Sequence, residues 1–319
     1  MNDQLLGIHH ITAITGDAQR NIDFYTRILG LKFIKLTVNF DDPTSYHLYY
    51  GDRVGSPGTA LTFFVWPGGN PGRVGVNQAM TIAFSITERS LGFWIERFIS
   101  RGVAFEKHKD GRFRDNLLSF KDPDGLMLEL VADTSVDNPH AYAGYGVPQE
   151  HAIRGFHSVT LLEDGFESTD RFLRDSMGYQ QVAQEGSIFR YRISSAGGGV
   201  GAHIDVRSAP DFVRGEMGTG IIHHVAFRAA SDAAQAVWHA KLKGTGANVS
   251  PIIDRKYFHS IYFHEPGGVL FEIATDGPGF TIDEAEDRLG TSLQLPAMYE
   301  AHRAEIEKIL PKLHLPTNE

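Results

Sequence analysis

The chain has 319 residues, of which 42% are hydrophobic and 22% are charged. This length predicts about two domains of ~100–200 residues each, with enough apolar residues to build real cores. The formal net charge of −9 argues against nucleic acid or an anionic membrane as the main partner, since both favour a basic protein face. The chain has no cysteine, so any metal must be bound through nitrogen and oxygen donors.

The first residues of the sequence predict neither a targeting signal nor a membrane anchor. The segment MNDQLLGIHHITA has no basic stretch followed by an apolar run, so no signal peptide is predicted. No apolar run in the chain approaches the roughly 18 residues that a membrane-spanning helix needs. A cytoplasmic protein is therefore expected.

The first segment of the chain predicts a β-α-β-β-β unit, called module 1. A short strand begins at Gly7, and a helix follows from Asp17, where apolar side chains recur at helical spacing up to a C-capping Gly30. Stretches rich in β-forming residues come next, at residues 33–40, 45–50 and 60–65.

The same order recurs in three further modules. Their predicted opening strand, helix and closing strand lie at 79–84, 91–101 and 122–130 in module 2, at 155–160, 168–177 and 202–206 in module 3, and at 220–225, 231–243 and 265–273 in module 4. The closing segments of modules 2 and 4, DPDGLMLEL and EPGGVLFEI, match in their Pro, Gly and Glu positions. A Pro-x-Gly turn that leads into an apolar strand is typical of a hairpin.

The repeats divide the chain into two predicted domains. Residues 1–135 hold modules 1 and 2, and residues 154–276 hold modules 3 and 4. Residues 136–153 are rich in Asn, Pro, Gly and Tyr and are predicted to form the linker. Residues 277–319 form a tail, in which the segment 296–310 predicts an amphipathic helix.

Two opening strands are near copies of each other: Gly7-Ile8-His9-His10-Ile11 and Gly220-Ile221-Ile222-His223-His224-Val225. Glu272 follows 48 residues after His224, on the closing strand of module 4. Two imidazoles and one carboxylate suggest a metal site, because this set balances a divalent ion and leaves coordination positions open. Since adjacent strand residues point to opposite faces, one His of each pair should face the ion.

The modules and the His/Glu pattern resemble the vicinal oxygen chelate superfamily of glyoxalases and extradiol dioxygenases. Within it, the chain is similar to bacterial hydroquinone-type ring-cleaving dioxygenases. The likeness covers nearly the whole chain, and its segments are GIHHITAITGDAQRNIDFY, YHLYY before Gly58-Thr59, GIIHHVAF and SIYFHEPGGVLFEIATDGPGF.

The resemblance implies an α+β fold in which four βαβββ modules pair into two domains of curled mixed-sheet half-barrels. It also implies one Fe(II) ion held by His10, His224 and Glu272, with Mn(II) or Zn(II) as other occupants of the site. The implied reaction inserts O2 into a hydroquinone- or catechol-type aromatic and opens its ring. Neither the sequence nor the resemblance determines whether the chain forms a homo-oligomer.

Module 3 helps to choose between the histidines of each pair. It keeps the first His as His157 but has Ser158 in place of the second, so the first position is more often structural. This favours the second His of each pair as the metal ligand.

Glu129 stands in the register of Glu272, yet Thr81 and Ser158 replace its histidines, and Asp205 could add only one oxygen. We therefore expect Glu129 to pair with an Arg or Lys, and only one of these two equivalent sites to bind metal.

The remaining candidates surround the predicted site. Tyr262, ten residues before Glu272, matches the tyrosine that family members place beside the substrate, although packing inside the barrel is the alternative. Arg255 is a candidate for binding an anionic oxygen, in a loop shorter than in the chlorohydroquinone enzymes. The weaker candidates are His9 and His223 as catalytic or structural neighbours of the ligands, Thr12 at the substrate, and His47 and His259; His203 and His239 have no motif support.

Two alternatives come from the same superfamily. Glyoxalase-like metal lyases or isomerases usually use four protein ligands, whereas three are found here, and uptake of O2 would separate the two reactions. Non-catalytic small-molecule binding proteins lack the triad, and metal analysis would separate that case.

Overall fold

Four β-α-β-β-β modules follow one another along the chain, as predicted. The computed structural model describes residues 4–109, 111–133, 135–196 and 199–316. Residue 134, next to the predicted domain boundary, lies outside these ranges, and the division of the chain at residues 136–153 stays a prediction.

The elements have the following bounds. Module 1 contains β1 (Ile8–Thr15), α1 (Ala18–Asp23), β2 (Lys32–Asn39), β3 (Asp42–Gly51) and β4 (Ala60–Val65). Module 2 contains β5 (Gln78–Ile86), α2 (Leu91–Arg101), β6 (Phe105–His108), β7 (Leu117–Lys121) and β8 (Met127–Ala132). Module 3 contains β9 (Phe156–Glu163), α3 (Glu167–Arg171), β10 (Gln180–Glu185), β11 (Ile188–Arg192) and β12 (His203–Ser208). Module 4 contains β13 (Ile222–Ala229), α4 (Asp232–Gly244), β14 (Ile253–Asp254), β15 (Phe258–His264) and β16 (Leu270–Pro278), and the tail contains β17 (Leu293–Gln294) and α5 (Arg303–Ile309).

The helix of module 1 is not uniform along its length. Asp17 caps α1, because its side chain accepts a hydrogen bond from a backbone N–H of the first turn. A π-helical turn, Phe24–Ile28, continues α1 where the sequence predicted one α-helix, and module 3 repeats this turn at Phe172–Ser176. Gly30 follows with a φ of +69°, a conformation that costs glycine little and that ends the helix as predicted.

The strands form two mixed sheets that do not follow the order of the modules. One sheet runs β14-β15-β16-β13-β1-β4-β3-β2-β17, and the other runs β10-β11-β12-β9-β5-β8-β7-β6. The first sheet therefore joins modules 1 and 4, and the second joins modules 2 and 3. At the centre of each sheet the opening strands pair antiparallel, β1 with β13 and β5 with β9. Each sheet thus takes one module from each predicted domain.

Apolar residues from both sheets belong to a single buried cluster. It includes Ile11 and Phe227 of the first sheet and Ile82 and Phe156 of the second, all at most 1% exposed. Full burial of such side chains stabilises the fold by about 1.5–3 kcal/mol each. Packing across both sheets therefore fixes the position of the central strands on which the candidate ligands lie.

The tail packs on module 1 but differs from its prediction. Only Arg303–Ile309 is α-helical, and a 3-10 helix, Ala297–His302, takes the first half of the predicted helix. Lys35, fully buried in β2, donates to Asp283 at 2.6 Å and to the carboxylate of Glu284. None of the helices in the described ranges is long and apolar enough to cross a membrane.

Candidate metal centre

Three adjacent strands bring the predicted ligands together. In the antiparallel pair β1–β13, His224 lies opposite Thr12, while His10 lies opposite Ala226. In the parallel pair β13–β16, Ala226 is also the register partner of Glu272. Pairing of the opening strands of modules 1 and 4 therefore places two imidazoles and one carboxylate at the same point, as the sequence predicted.

The triad is tight and buried. Glu272 Oε2 lies 2.9 Å from His224 Nε2 and 3.3 Å from His10 Nε2, and the two Nε2 atoms are 3.4 Å apart. Each of the three side chains is at most 3% exposed. Within the described part of the chain, this is the one group of three such side chains whose ligand atoms converge in the way that metal binding requires.

The carboxylate of Glu272 is suited to a cation. Its Oε1 accepts a hydrogen bond from Ser260 Oγ, whereas Oε2 has no hydrogen bond of good geometry among the described residues, in spite of the two imidazoles beside it. Burial opposes ionisation of this carboxyl, but His10 and His224 hold its pKa well below the usual range. A buried acceptor without a donor is costly, and a divalent ion between the three side chains would satisfy it.

The first His of each pair contacts the second. His9 Nδ1 lies 2.9 Å from His10 Nδ1, and His223 Nδ1 lies 2.8 Å from His224 Nδ1. Strand alternation predicted opposite faces for the two members of each pair. The register of β1 with β13 shifts between Ile8 and His10, and again between Thr12 and Ala13 beside His224. In both pairs the rings meet edge to face, with centroids 5.1 Å apart. These contacts occupy Nδ1 of each predicted ligand and leave its Nε2 for a metal.

A cavity lies over the triad. Its walls combine aromatic rings with polar groups, which are His10, Thr12, Asn39, Phe40, His47, Tyr49, Phe64, His224, Arg255, Phe258 and Tyr262. The Phe258 ring lies 4.9 Å from the His10 ring. The cavity has a volume of about 30 Å³, so a planar aromatic molecule can enter only when side chains of this wall move aside.

Tyr262 and Arg255 meet on one side of this cavity. Tyr262 lies opposite Glu272 in the β15–β16 ladder, and its ring meets His224 edge to face at 5.7 Å. Arg255 Nε donates to Tyr262 Oη at 3.3 Å, and its guanidinium also pairs with the carboxylate of Asp41 at 3.4 Å. Burial, reinforced by Glu272, raises the pKa of Tyr262 above its ordinary value, so the phenol keeps its proton.

A chain of hydrogen bonds lines the wall beside Thr12. Thr12 Oγ1 and Thr62 Oγ1 are 2.8 Å apart, Thr62 Oγ1 lies 2.9 Å from His47 Nε2, and His47 Nδ1 lies 2.9 Å from Tyr49 Oη. Burial lowers the pKa of His47 well below its ordinary value, so the ring is neutral. Sequence reasoning gave His47 little weight and missed Thr62 and Tyr49. Strand alternation offered a signal, because His47 and Tyr49 are two residues apart on β3.

The other histidines that the sequence offered lie away from the cavity. His259 pairs with Asp232 at 2.7 Å, and His239 contacts a backbone carbonyl at 3.0 Å. His203 stacks on His157 in the second sheet, with ring centroids 4.9 Å apart. Ser260, the donor to Glu272, was also missed, although it lies two residues before Tyr262 on β15.

The second sheet has an ion-pair network at the position equivalent to the metal triad. Arg112 Nη2 lies 2.8 Å from Glu129 Oε2, and its Nε lies 3.2 Å from Asp205 Oδ2. Arg190 binds the same Asp205 at 2.8 Å. The prediction that Glu129 pairs with a basic residue is therefore confirmed. A larger open cavity of about 730 Å³ reaches Glu129, but no histidine lines it.

Comparison with known proteins identifies relatives along the whole chain. The family model of the Glyoxalase/Bleomycin resistance protein/Dioxygenase superfamily matches residues 7–130 and 155–273. A Bacillus subtilis protein named "Putative ring-cleaving dioxygenase MhqO" is 42% identical over 312 residues, which are 98% of each chain. The chlorohydroquinone/hydroquinone 1,2-dioxygenase of Sphingobium indicum is 34% identical over 310 residues, which are 95% of each chain.

Solved structures of similar fold are also found. A crystal structure of a "putative dioxygenase" from Bacillus subtilis superposes with a TM-score of 0.94 at 41% identity, covering 98% of this chain and 99% of the other. Glyoxalase I from Zea mays superposes with a TM-score of 0.62 at 15% identity, covering 86% and 92% of the two chains. The second likeness shows the fold alone.

Proposed function

Because the chain belongs to the glyoxalase/bleomycin resistance protein/dioxygenase superfamily, we propose that it is an Fe(II)-dependent dioxygenase that opens the ring of a hydroquinone- or catechol-type aromatic with O2. The observation that carries the proposal is the buried triad of His10, His224 and Glu272 beneath a cavity with aromatic and polar walls. The names of the relatives from Bacillus subtilis and Sphingobium indicum support the same reaction class.

The three side chains would hold the ion on one side. Two neutral imidazoles and one carboxylate form a donor set that suits Fe(II), and Mn(II) or Zn(II) could also bind there. When bound, Fe(II) would supply open coordination positions and one-electron chemistry for the reaction of an aromatic diol with O2. His9 and His223 would keep the ligand rings in place through their Nδ1 contacts, and loss of such support typically weakens metal binding.

The cavity side chains would position the substrate and move its protons. The phenol of Tyr262 can donate a hydrogen bond to a substrate oxygen beside His224, and Arg255 orients this phenol and adds positive charge for an anionic oxygen. Thr12 offers a hydroxyl on another wall. A side chain that donates a proton in this position typically accelerates a reaction by about 10²–10⁴-fold.

Anaerobic reconstitution with Fe(II), followed by measurement of O2 uptake with a panel of hydroquinones and catechols, tests this proposal. We expect O2 consumption with at least one diol, with formation of a ring-opened product in equal amount. The same protein loaded with Zn(II) is the control and should consume no O2. Conversion of a glyoxalase substrate without O2 uptake would overturn the proposal in favour of a lyase or isomerase.

A further inference from the structure

Two buried carboxyl groups lie together where module 3 meets the last turn of module 4. Glu163 ends β9 and is 1% exposed, and Glu265 opens the turn before β16 and is 2% exposed. Glu265 accepts hydrogen bonds from the Val269 backbone N–H at 2.9 Å and from Thr169 Oγ1 at 2.8 Å. The carboxylate of Glu265 is therefore held in a fixed position by donors.

Glu163 has no such donors. Among the residues that the structure describes, neither of its carboxyl oxygens has a hydrogen-bond partner. A Cβ atom added to Gly267 would collide with both Glu163 Oε2 and Thr169 Oγ1, so these two oxygens face the same small space. In the described ranges, no Lys, Arg or His nitrogen lies within ion-pair distance of Glu163 or Glu265, although a buried charge normally needs a partner.

The other half of the molecule has a cation beside the equivalent carboxyl groups. The equivalent turn of module 2 also has two acids. Asp122 stands in the register of Glu265, and Asp124 accepts a hydrogen bond from Thr15 at the end of β1 and forms an ion pair with Arg20 at 2.7 Å. In modules 3 and 4 the second acid lies on the strand, as Glu163, and the turn residue is Gly267. Among the described residues of this half, no cation corresponds to Arg20.

The position of Arg20 can be traced in module 3. Arg20 lies four residues before the π-helical turn that starts at Phe24, and the residue four before the matching turn at Phe172 is Ser168. The substitution removes the positive charge, while the number of carboxyl groups stays at two: Asp122 and Asp124 in one half, Glu265 and Glu163 in the other. A cation from solution would replace it.

We propose that Glu163, Glu265 and Thr169 form a binding site for a hard divalent cation, Ca²⁺ or Mg²⁺, separate from the catalytic triad. Two carboxylates balance a charge of +2, and carboxylate and hydroxyl oxygens are ligands that these ions prefer over imidazole. The ion would join β9 and α3 of module 3 to the turn of module 4. Bound at this junction, it stabilises the contact between the two sheets.

The test measures thermal stability in increasing CaCl2 or MgCl2, with the two possible metal sites separated by substitution. Three proteins are compared: wild type, Glu163→Gln, and Glu272→Gln, whose catalytic triad is incomplete. We expect Ca²⁺ or Mg²⁺ to raise the Tm of wild type and Glu272→Gln by a few degrees and to leave Glu163→Gln unchanged. Equilibrium dialysis of Glu272→Gln, which needs no change at Glu163, should find one bound ion per chain.

The alternative to a metal ion is a proton on Glu163, because burial and Glu265 raise its pKa to about 9. If neither ion raises the Tm of Glu272→Gln and dialysis finds no bound ion, a proton neutralises the pair and the cation site is wrong. A Tm increase that persists in Glu163→Gln would also overturn the proposal. None of these readouts depends on ring-opening activity, so the proposed function can fail while this site stands.

Discussion

His10 and His224 are 214 residues apart in the sequence, yet their Nε2 atoms lie 3.4 Å from each other. The contact exists because β1 and β13, two near copies of one strand, pair antiparallel at the centre of the first sheet. Modules 1 and 4 each contribute one imidazole, and module 4 also contributes the carboxylate of Glu272. The candidate metal centre therefore forms only when modules 1 and 4 share a sheet.

Glu272→Gln should remove iron binding and ring opening while leaving the fold intact. The amide keeps the size of the side chain and its contact with Ser260 but carries no charge to balance a divalent ion. We expect at least a tenfold fall in bound iron and activity at background, with an unchanged far-UV circular dichroism spectrum. Glu216→Gln, an exposed carboxylate paired with Arg73, is the control and should keep full activity. Full iron content in Glu272→Gln would contradict the ligand assignment.

Tyr262→Phe should lower kcat without changing the iron content. The ring and its edge-to-face contact with His224 remain, and only the hydroxyl that could donate to a substrate oxygen is lost. Loss of a hydrogen bond to a charged oxygen costs about 1.5–3 kcal/mol, or roughly one to two orders of magnitude in rate. Single-turnover measurement of ring opening in both iron-loaded proteins gives the comparison. An unaltered rate of the chemical step would make Tyr262 a packing residue of the barrel.

His9→Gln should weaken iron binding although His9 is not a predicted ligand. Its Nδ1 lies 2.9 Å from His10 Nδ1, and removal of such a support typically costs about 10–100-fold in metal affinity. His157→Gln is the matched control, because His157 holds the same strand position in module 3, next to Ser158 and away from the triad. Competition with a chelator measures both affinities. Equal affinity in the two variants would show that His9 does not support the ligand.

The sequence predicted the modules and the triad because both rest on local repetition. The opening strands repeat their His pairs, and the closing turns repeat their Pro and Gly, so element order and ligands could be read residue by residue. Pairing of module 1 with module 4 followed only from the need to bring His10 to Glu272. By contrast, the register of β1 with β13 shifts beside each His pair, between Ile8 and His10 and between Thr12 and Ala13, and strand alternation predicts neither shift.

Contacts between distant segments were the other part that the sequence could not supply. Thr62 joins Thr12 to His47 across three neighbouring strands, and no spacing within one segment indicates that chain. Glu163 likewise has no hydrogen-bond partner because none of the described segments around it places a donor beside its carboxyl group. These features are set by tertiary packing, for which a single sequence holds no local signal.

Arg112→Met should destabilise the second sheet strongly. Arg112 bridges Glu129 and Asp205 in a largely buried network. Its removal leaves Glu129 uncompensated, at a cost of roughly 3–5 kcal/mol, whereas Asp205 keeps Arg190. Arg73→Met is the control, because the Arg73–Glu216 pair is exposed and such pairs contribute about 0–1 kcal/mol. Urea unfolding measures both free energies. Equal losses in the two variants would show that the network contributes no more than a surface pair.

The contribution of Glu163 to stability in a chelator should fall as the pH rises. Burial, with Glu265 beside it, raises the pKa of Glu163 to about 9 in the folded protein, whereas an unfolded glutamate has a pKa of about 4.3. Between these two values the folded state holds a proton that the unfolded state has already released. The free energy of unfolding contributed by this group therefore decreases with rising pH across that window and becomes constant above about pH 9.

Glu163→Gln isolates this contribution, since glutamine has the same size and does not titrate. The Tm of Glu163→Gln minus that of wild type should increase steadily from pH 5 to pH 9 in EDTA, which removes metal from both proteins. Addition of Ca²⁺ or Mg²⁺ at pH 8 should reverse the difference, because the cation stabilises only the protein that keeps the carboxylate. A Tm difference that stays constant over this pH range in EDTA would mean that Glu163 ionises normally in the folded protein, and the unpaired carboxylate would then need another explanation.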